Sequence, residues 1–395
     1  MDTPVFQRLR AIKQLNFVYL AYDGATHSRF EHAIGVNHTG KEAVARLRGR
    51  DPRMASVSEL DEVVFLTACL LHDLSHSGIG SHLLEELEMD GVDHEEAVEQ
   101  MITSGAIREV LESHGLGPVE QDRIARLIRK AHWDHPLQSL LSSSFDIDKL
   151  DYMQRDSERC GVPYGLVDRD RILDSLVLVD DPCTGLLTVG LEESGLLSLE
   201  HLLHGRRLLY SAVYYNKAVR SASAMRQRLV VEALHAGLLS RKDLAEWTDE
   251  DVQIRLGERI NGQGNELCAT LHQGLTTRSL YREVAAWRGP ALRNLKPSSL
   301  WALADQVCYD LAYEPGAILI DLPHKPGLMR AEGLCQLRDG SVTEFQALGA
   351  RFPLAQMQGA LEEAVFTLRV FVQPKLRSDA EVIRRAVGEY LGLAI

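Results

Sequence analysis

The sequence predicts a mainly α-helical protein carrying a small β-hairpin and a C-terminal α+β subdomain. Three features point there. Apolar residues recur at helical spacing through the first 131 residues; two β-rich runs flank a turn at Pro182–Gly185; and past residue 313 short apolar strands alternate with helical segments.

Thr3-Pro4 reads as an N-cap followed by proline at the first helical position, and Val5, Phe6, Leu9, Ile12 and Leu15 then fall on one face, so a helix is expected from about residue 4. Tyr22 to His27 is turn-rich, after which Ser28 to Leu47 is again helical in pattern and places His32 in its first turns. From Leu60 to Leu74 apolar residues occur all round, the mark of a buried central helix. His72-Asp73 end it, and Ser75 to Gly80 break it. Further helices are expected at about 81–89, 93–103, 105–114 and 119–131. Leu176–Asp181 and Leu186–Val189 make the hairpin, and a long helix should run from about Ser198 to Gly237. Strands follow at Ala317–Leu322, Leu334–Leu337 and Thr367–Val372, with helices near 355–365 and 378–391. This divides the chain into a core over 1–240, a helical extension over 241–312 and an α+β subdomain over 313–395.

Composition narrows the function. A net charge of -13 argues against a nucleic-acid coat, whose binding rests on many phosphate-neutralising cations, so nucleic-acid binding is not indicated. No run reaches the roughly 18 apolar residues of a membrane span, and Met1-Asp2-Thr3-Pro4 lacks a signal-peptide layout, so no membrane partner and a cytoplasmic location are expected. The six cysteines are scattered without a CxxC, which indicates neither a disulfide framework nor a thiolate zinc site.

Ten of the fifteen histidines precede residue 136, several of them at turns. His72 and Asp73, with His32 upstream and Asp148 downstream, read as one divalent-metal site. Two imidazoles and two carboxylates suit manganese, iron, magnesium or zinc, and an ion so held can ionise water at neutral pH, which makes hydrolysis the first expectation. The plainer reading of a lone His-Asp pair is a helix-end polar group, and Asp148 taken singly could be an N-terminal helix carboxylate.

The ordered blocks Asp2-Thr3-Pro4-Val5-Phe6-Gln7-Arg8-Leu9-Arg10, Ile12-Lys13-Gln14-Leu15, Gly24-Ala25-Thr26-His27-Ser28-Arg29-Phe30-Glu31-His32, Leu71-His72-Asp73, Asp146-Ile147-Asp148-Lys149-Leu150-Asp151-Tyr152 and Arg155-Asp156-Ser157 resemble the signature of the HD-domain deoxynucleoside triphosphate triphosphohydrolases. The likeness is greatest to the type with SAM and HD domains, although no SAM domain is seen in this sequence. It covers roughly residues 2 to 220 and implies an HD-domain helical core.

The resemblance implies that His32, His72, Asp73 and Asp148 hold the metal and that Arg29, His76, His82, Lys149 and Tyr152 hold the triphosphate. His94 would be the general acid on the leaving deoxyribose oxygen, its ordinary pKa of about 6.5 suiting that task, and Glu85 would orient it. Gln14 and Asp156 would clamp the 3′-hydroxyl, Tyr214 would stack near the ribose and Leu15 would crowd a 2′-hydroxyl. Asp2, Gln7 and Arg10 match parts of an allosteric nucleotide pocket. Each has a plainer reading: a solvated face for Arg29 and Lys149, a helix start for His94, a cap or interhelical hydrogen bond for Gln14 and Asp156. The family's turn after His-Asp has a Gly and a Pro, whereas this chain reads Leu74-Ser75-His76-Ser77-Gly78-Ile79-Gly80-Ser81-His82, with one extra residue between the two histidines.

The expected reaction is metal-dependent hydrolysis of a dNTP to deoxynucleoside and inorganic triphosphate, by a homo-oligomer that the resemblance makes a dimer or tetramer. The rivals are an HD phosphodiesterase or nucleotidase acting on another nucleotide, and a nucleotide-sensing protein whose altered turn has impaired catalysis.

Overall fold

The computed structural model describes residues 1–79, 94–130, 135–289, 292, 295–323, 330–354 and 365–393. The mainly α expectation holds. Helices Arg29–Arg50, Glu59–Leu71, His94–Thr103, Pro118–Ile128 and Ile147–Cys160 pack around one apolar core that includes Phe6, Phe65, Leu74 and Phe145. The Arg29–Arg50 helix starts where local chemistry dictates. Ser28 accepts from the Glu31 amide while Glu31 reaches back to the Ser28 amide, a reciprocal cap.

The hairpin strands β1 (Leu176–Asp180) and β2 (Leu187–Glu192) form as expected, in the register Leu176↔Leu191 to Asp180↔Leu187. They do not stand alone. With β3 as Arg282–Trp287, β4 as Ile318–Asp321, β5 as Leu334–Gln336, β6 as Val342–Glu344 and β7 as Leu368–Val372, the strand orders are β1-β2-β5-β6 and β3-β7-β4. The β2–β5 pairing is parallel, so the C-terminal region completes the sheet that the hairpin begins. Helices Pro297–Asp310 and Ala380–Leu391 cover the second sheet.

Several expectations need correction. The N-terminal helix is only Pro4–Gln7, followed by a tighter turn over Arg8–Ala11, because Ile12 turns extended and Lys13 bridges Ser28. The Glu59–Leu71 helix is not buried all round: Leu60 and Val63 are 43% and 46% exposed. The long helix over 198–237 is two helices, Leu196–Leu209 and Lys217–His235, separated by a π-helical turn at Tyr210–Tyr214 and restarted by the Asn216 side chain capping the Ala218 amide. In the 241–312 stretch, expected to be helical, residues 282–287 form β3 and pair with β7. The helix expected at 81–89 and nearly all of that near 355–365 lie outside the described residues. Among the described residues, no helix is long and apolar enough to cross a membrane.

His135 illustrates how the core sets acid sensitivity. It is 5% exposed, and its Nδ1 accepts from the Leu137 amide at 3.1 Å. Burial, with Arg123 adding to it against the pull of Asp61, depresses its pKa from 6.5 to about 4. Between those values the unfolded chain binds a proton that the folded chain refuses, so this contribution is intact above pH 6.5 and is lost as pH falls toward about 4. The expected loss is up to about 3 kcal/mol. Denaturant unfolding on both sides of that window should show a flatter acid limb for His135→Leu than for the parent protein.

Candidate metal centre

Asp148 stands in the first turn of the Ile147–Cys160 helix, whose N-cap Asp146 accepts from the Lys149 amide at 2.8 Å. His32 comes from the first turns of the Arg29–Arg50 helix and His72 caps the C-terminus of Glu59–Leu71. One donor atom from each of His32, His72 and Asp148 falls within 4.8 Å of the other two. His32 Nε2 is 3.0 Å and His72 Nε2 3.8 Å from Asp148 Oδ1. Asp73 lies at the edge of this group, its Oδ2 3.7 Å from His32 Nε2 and its Oδ1 3.5 Å from His72 Nε2.

The imidazoles are aimed by their far nitrogens. His72 Nδ1 donates to the Cys69 carbonyl at 2.8 Å, which leaves Nε2 buried, inward and without a hydrogen bond among the described residues. His32 Nδ1 donates to Asp151 Oδ2 at 2.9 Å, and Asp151 is gripped by Arg155 Nε at 2.9 Å and Nη2 at 2.8 Å. This is how proteins orient metal-binding histidines. A buried imidazole nitrogen with no partner, facing a second imidazole and a carboxylate, fits a divalent cation in donor set and in spacing.

Electrostatics agree. Burial disfavours a charged His32, but Asp148 and Asp151 outweigh it and push its pKa up to about 10. Burial likewise opposes ionisation of Asp73, yet Arg29, His76 and His72 hold its carboxyl well below the usual range. The pocket thus concentrates negative charge that a proton or a metal ion must balance.

Asp151 and Arg155 were quoted in the signature without a role. The spacing i, i+3, i+7 from Asp148 is the signal that puts them on its side of the helix. Gly35 makes room: a Cβ there would sit 1.9 Å from Asp151 Oδ1 and 2.2 Å from Arg155 Nη2. Replacing Asp151 by Asn should weaken metal affinity by about 10–100-fold, as for other residues that orient a ligand. Competition against a chelator measures this, and an unchanged affinity contradicts the assignment.

The remaining site residues divide into groups. Arg29, 3% exposed, donates to Asp73 at 2.6 Å, and His76 Nε2 is 2.9 Å from the same carboxylate. Lys149 bonds the Ser143 carbonyl at 2.9 Å and pairs with Asp146. Tyr152 accepts from Arg206 Nε at 3.1 Å, a partner that sequence reading missed because the two are 54 residues apart. At the far end of the same helix Asp156 accepts from the Tyr214 hydroxyl at 2.6 Å and pairs with His27 Nε2 at 2.8 Å. The Gln14 backbone amide donates to the His27 carbonyl at 2.9 Å, and Gln14 Oε1 is buried without a hydrogen bond among the described residues. Leu15 packs against the core beside it. His82 and Glu85 lie outside the described residues, as does the His94 side chain, though His94 begins the His94–Thr103 helix. Arg10 Nε donates to Gln7 Oε1 at 2.8 Å and the Arg10 guanidinium sits 3.5 Å over the Phe30 ring, while Asp2 is exposed.

Residues 29–160 match the family profile described as HD domain, and residues 167–395 that of the HD-associated region. An uncharacterized protein, MJ1154 of Methanocaldococcus jannaschii, is 31% identical over 303 residues, 76% of this chain and 58% of its own length. YwfO of Bacillus subtilis is 35% identical over 235 residues, 59% of this chain and 51% of its own. A deoxynucleoside triphosphate triphosphohydrolase, SAMHD1 of Gallus gallus, is 31% identical over 192 residues, 41% of this chain and 31% of its own. The chain therefore spans about half or less of these curated relatives. Among solved structures, a hypothetical protein from Aquifex aeolicus superposes with a TM-score of 0.70 at 22% identity, covering 98% of this chain and 94% of that one. A phosphohydrolase from Bacteroides thetaiotaomicron gives 0.69 at 21% identity, covering 94% of each. At that identity the likeness is one of fold.

Proposed function

This chain belongs to the HD-domain family, its HD domain followed by the HD-associated region, and on that footing we propose that it is a metal-dependent phosphohydrolase converting a deoxynucleoside triphosphate to the deoxynucleoside and inorganic triphosphate. One helix carries the proposal. Ile147–Cys160 displays Asp148, Tyr152 and Asp156 at i, i+4 and i+8, spread along about 12 Å of its axis. Asp148 faces the imidazoles, Tyr152 meets Arg206, and Asp156 meets Tyr214 and His27. A nucleotide laid along that face has its phosphates at the metal end and its sugar at the other.

A divalent ion held by His32, His72, Asp73 and Asp148 would ionise water at neutral pH and take up charge on the phosphate. Arg29, His76, His82, Lys149 and Tyr152 would hold the phosphates by charge and hydrogen bonds. The water oxygen would join the α-phosphorus as the bond from that phosphorus to the 5′ oxygen breaks, and His94, with Glu85 to orient it, would give the departing oxygen its proton. Gln14 and Asp156 would bind the 3′-hydroxyl, Tyr214 would pack on the ribose, and Leu15 would leave no room for a 2′-hydroxyl. Asp2, Gln7 and Arg10 would contribute to a nucleotide activator pocket, and the working form would be a homo-oligomer. The relative named deoxynucleoside triphosphate triphosphohydrolase supports the substrate class.

A second reading, hydrolysis of another nucleotide phosphoester, is favoured by one observation: Arg29 and Lys149 are engaged by Asp73 and Asp146 rather than standing open to a triphosphate. Purified protein incubated with each dNTP, each NTP and a cyclic dinucleotide under manganese, iron, magnesium or zinc, with products separated by chromatography, distinguishes the two. Deoxynucleoside and triphosphate are the expected products. Release of monophosphate, or no turnover with any metal, overturns the first reading.

A further inference from the structure

Away from the metal donors, a cavity of about 80 Å³ opens where the segment before the first long helix meets the turn after Asp73 and the helices Lys217–His235, Asp249–Gln263 and Glu266–Thr276. Arg226 lines it, 9% exposed, with its Nε free of any hydrogen bond among the described residues and its guanidinium 5.1 Å from the Phe17 ring centroid. Lys13 Nζ lines it too, 3.4 Å from Asp249 Oδ2 and 5.2 Å from the Tyr19 ring centroid. Asp249 also accepts from the Lys13 amide at 2.8 Å. The nearby His272 is turned to the Gln253 carbonyl through Nε2 at 2.8 Å, and burial lowers its pKa. Among the described residues of the cavity wall, two cations thus face one carboxylate, and the Arg226 member of the unmatched charge is buried. Such a charge is costly unless a partner arrives.

We infer that this cavity binds a small oxyanion of the phosphate class, with the Arg226 guanidinium and the Lys13 ammonium as its donors. The space has room for several water-sized groups and so admits a phosphate-sized oxyanion. Placement gives the site its consequence. Lys13 precedes Gln14 and Leu15, and Gly78, also on the cavity wall, donates its amide to the Trp247 carbonyl at 2.7 Å. A Cβ on Gly78 would come within 2.1 Å of the Thr248 carbonyl carbon, so that turn is pressed against the wall. A bound anion holds the Gln14 segment and the turn after Asp73 to the same helices. None of this depends on the reaction proposed above.

The test is calorimetric titration of the full chain with inorganic phosphate in the presence of a chelator. The parent protein and His72→Ala should bind one phosphate alike, and Arg226→Gln should bind at least about tenfold more weakly, the effect of losing a charged hydrogen-bonding partner. Thr276→Phe, a substitution of an exposed residue on the cavity wall, keeps the charges and fills the space. It should weaken binding as much, and it decides the matter if Arg226→Gln does not fold. Equal affinity in the parent and Thr276→Phe, loss of binding in His72→Ala, or no binding to the parent overturns the inference.

Discussion

A His72→Ala protein is expected to be purified without a stoichiometric divalent ion and to hydrolyse the nucleotide proposed as substrate about 10³-fold more slowly or worse, since several kcal/mol of charge stabilisation go with the ion. Metal analysis of the purified protein and product chromatography measure the two effects. The basis is Nε2 of His72, which makes no hydrogen bond among the described residues and faces Asp73 and Asp148 at 3.5 and 3.8 Å. Burial opposes a charge on His32, but Asp148 and Asp151 keep it protonated up to about pH 10, so an ion taken up by these donors at neutral pH must displace that proton. Titrating the metal-stripped parent protein with manganese in weak buffer should release about one proton per ion, and apparent affinity should rise with pH below about 10. A His72→Ala protein with parental metal content and turnover would remove the metal centre from the account.

Arg220→Ala should cost about 3–5 kcal/mol of folding stability, the penalty for stranding a buried charge. Arg220 Nε donates to Asp321 Oδ2 at 3.0 Å and Nη2 to Oδ1 at 2.6 Å, and the two residues are 5% and 3% exposed. The pair joins the Lys217–His235 helix to β4, so the loss falls on the contact between the helical core and the β3-β7-β4 sheet. Midpoints of denaturant unfolding measure it. The double variant Arg220→Met/Asp321→Leu should recover most of the loss, because an apolar pair of similar volume replaces an ion pair at little net cost. A single variant as stable as the parent would show that Asp321 is not dependent on its partner.

The resemblance and the local chemistry of the sequence carried a good part of the site. Ser28 and Glu31 cap a helix through neighbours three residues apart, which places His32 in its first turns. His72 stands at the end of an apolar run read as a helix, which it is, with one side exposed; the Asp146-capped helix that presents Asp148 is not among the expected elements. The hairpin at 176–192 likewise follows from a turn and two strands adjacent in the chain. These are short-range interactions, and a sequence displays them directly.

What escaped is long-range. Residues 12–14 carry a helical apolar spacing but pair with residues 27–29 as extended chain, so tertiary hydrogen bonds override the local pattern. The Arg29–Asp73, Lys149–Asp146 and Arg206–Tyr152 contacts decide how each polar group is spent, and residue type alone is silent on that choice. The π-helical turn that brings Tyr214 to Asp156 lies within a stretch whose composition favours an unbroken helix.

By itself the sequence determined the helical class, the start of the helix that bears His32 and the end of the one that precedes His72, since caps, periodicity and side-chain type are local properties. Tertiary structure alone decided that the hairpin joins a C-terminal sheet, that Asp151 and Arg155 aim His32, and that Arg226 and Lys13 face a common cavity. The physical reason is that these depend on groups far apart in the chain being brought to within a few ångströms, which burial and packing achieve and no sequence spacing encodes.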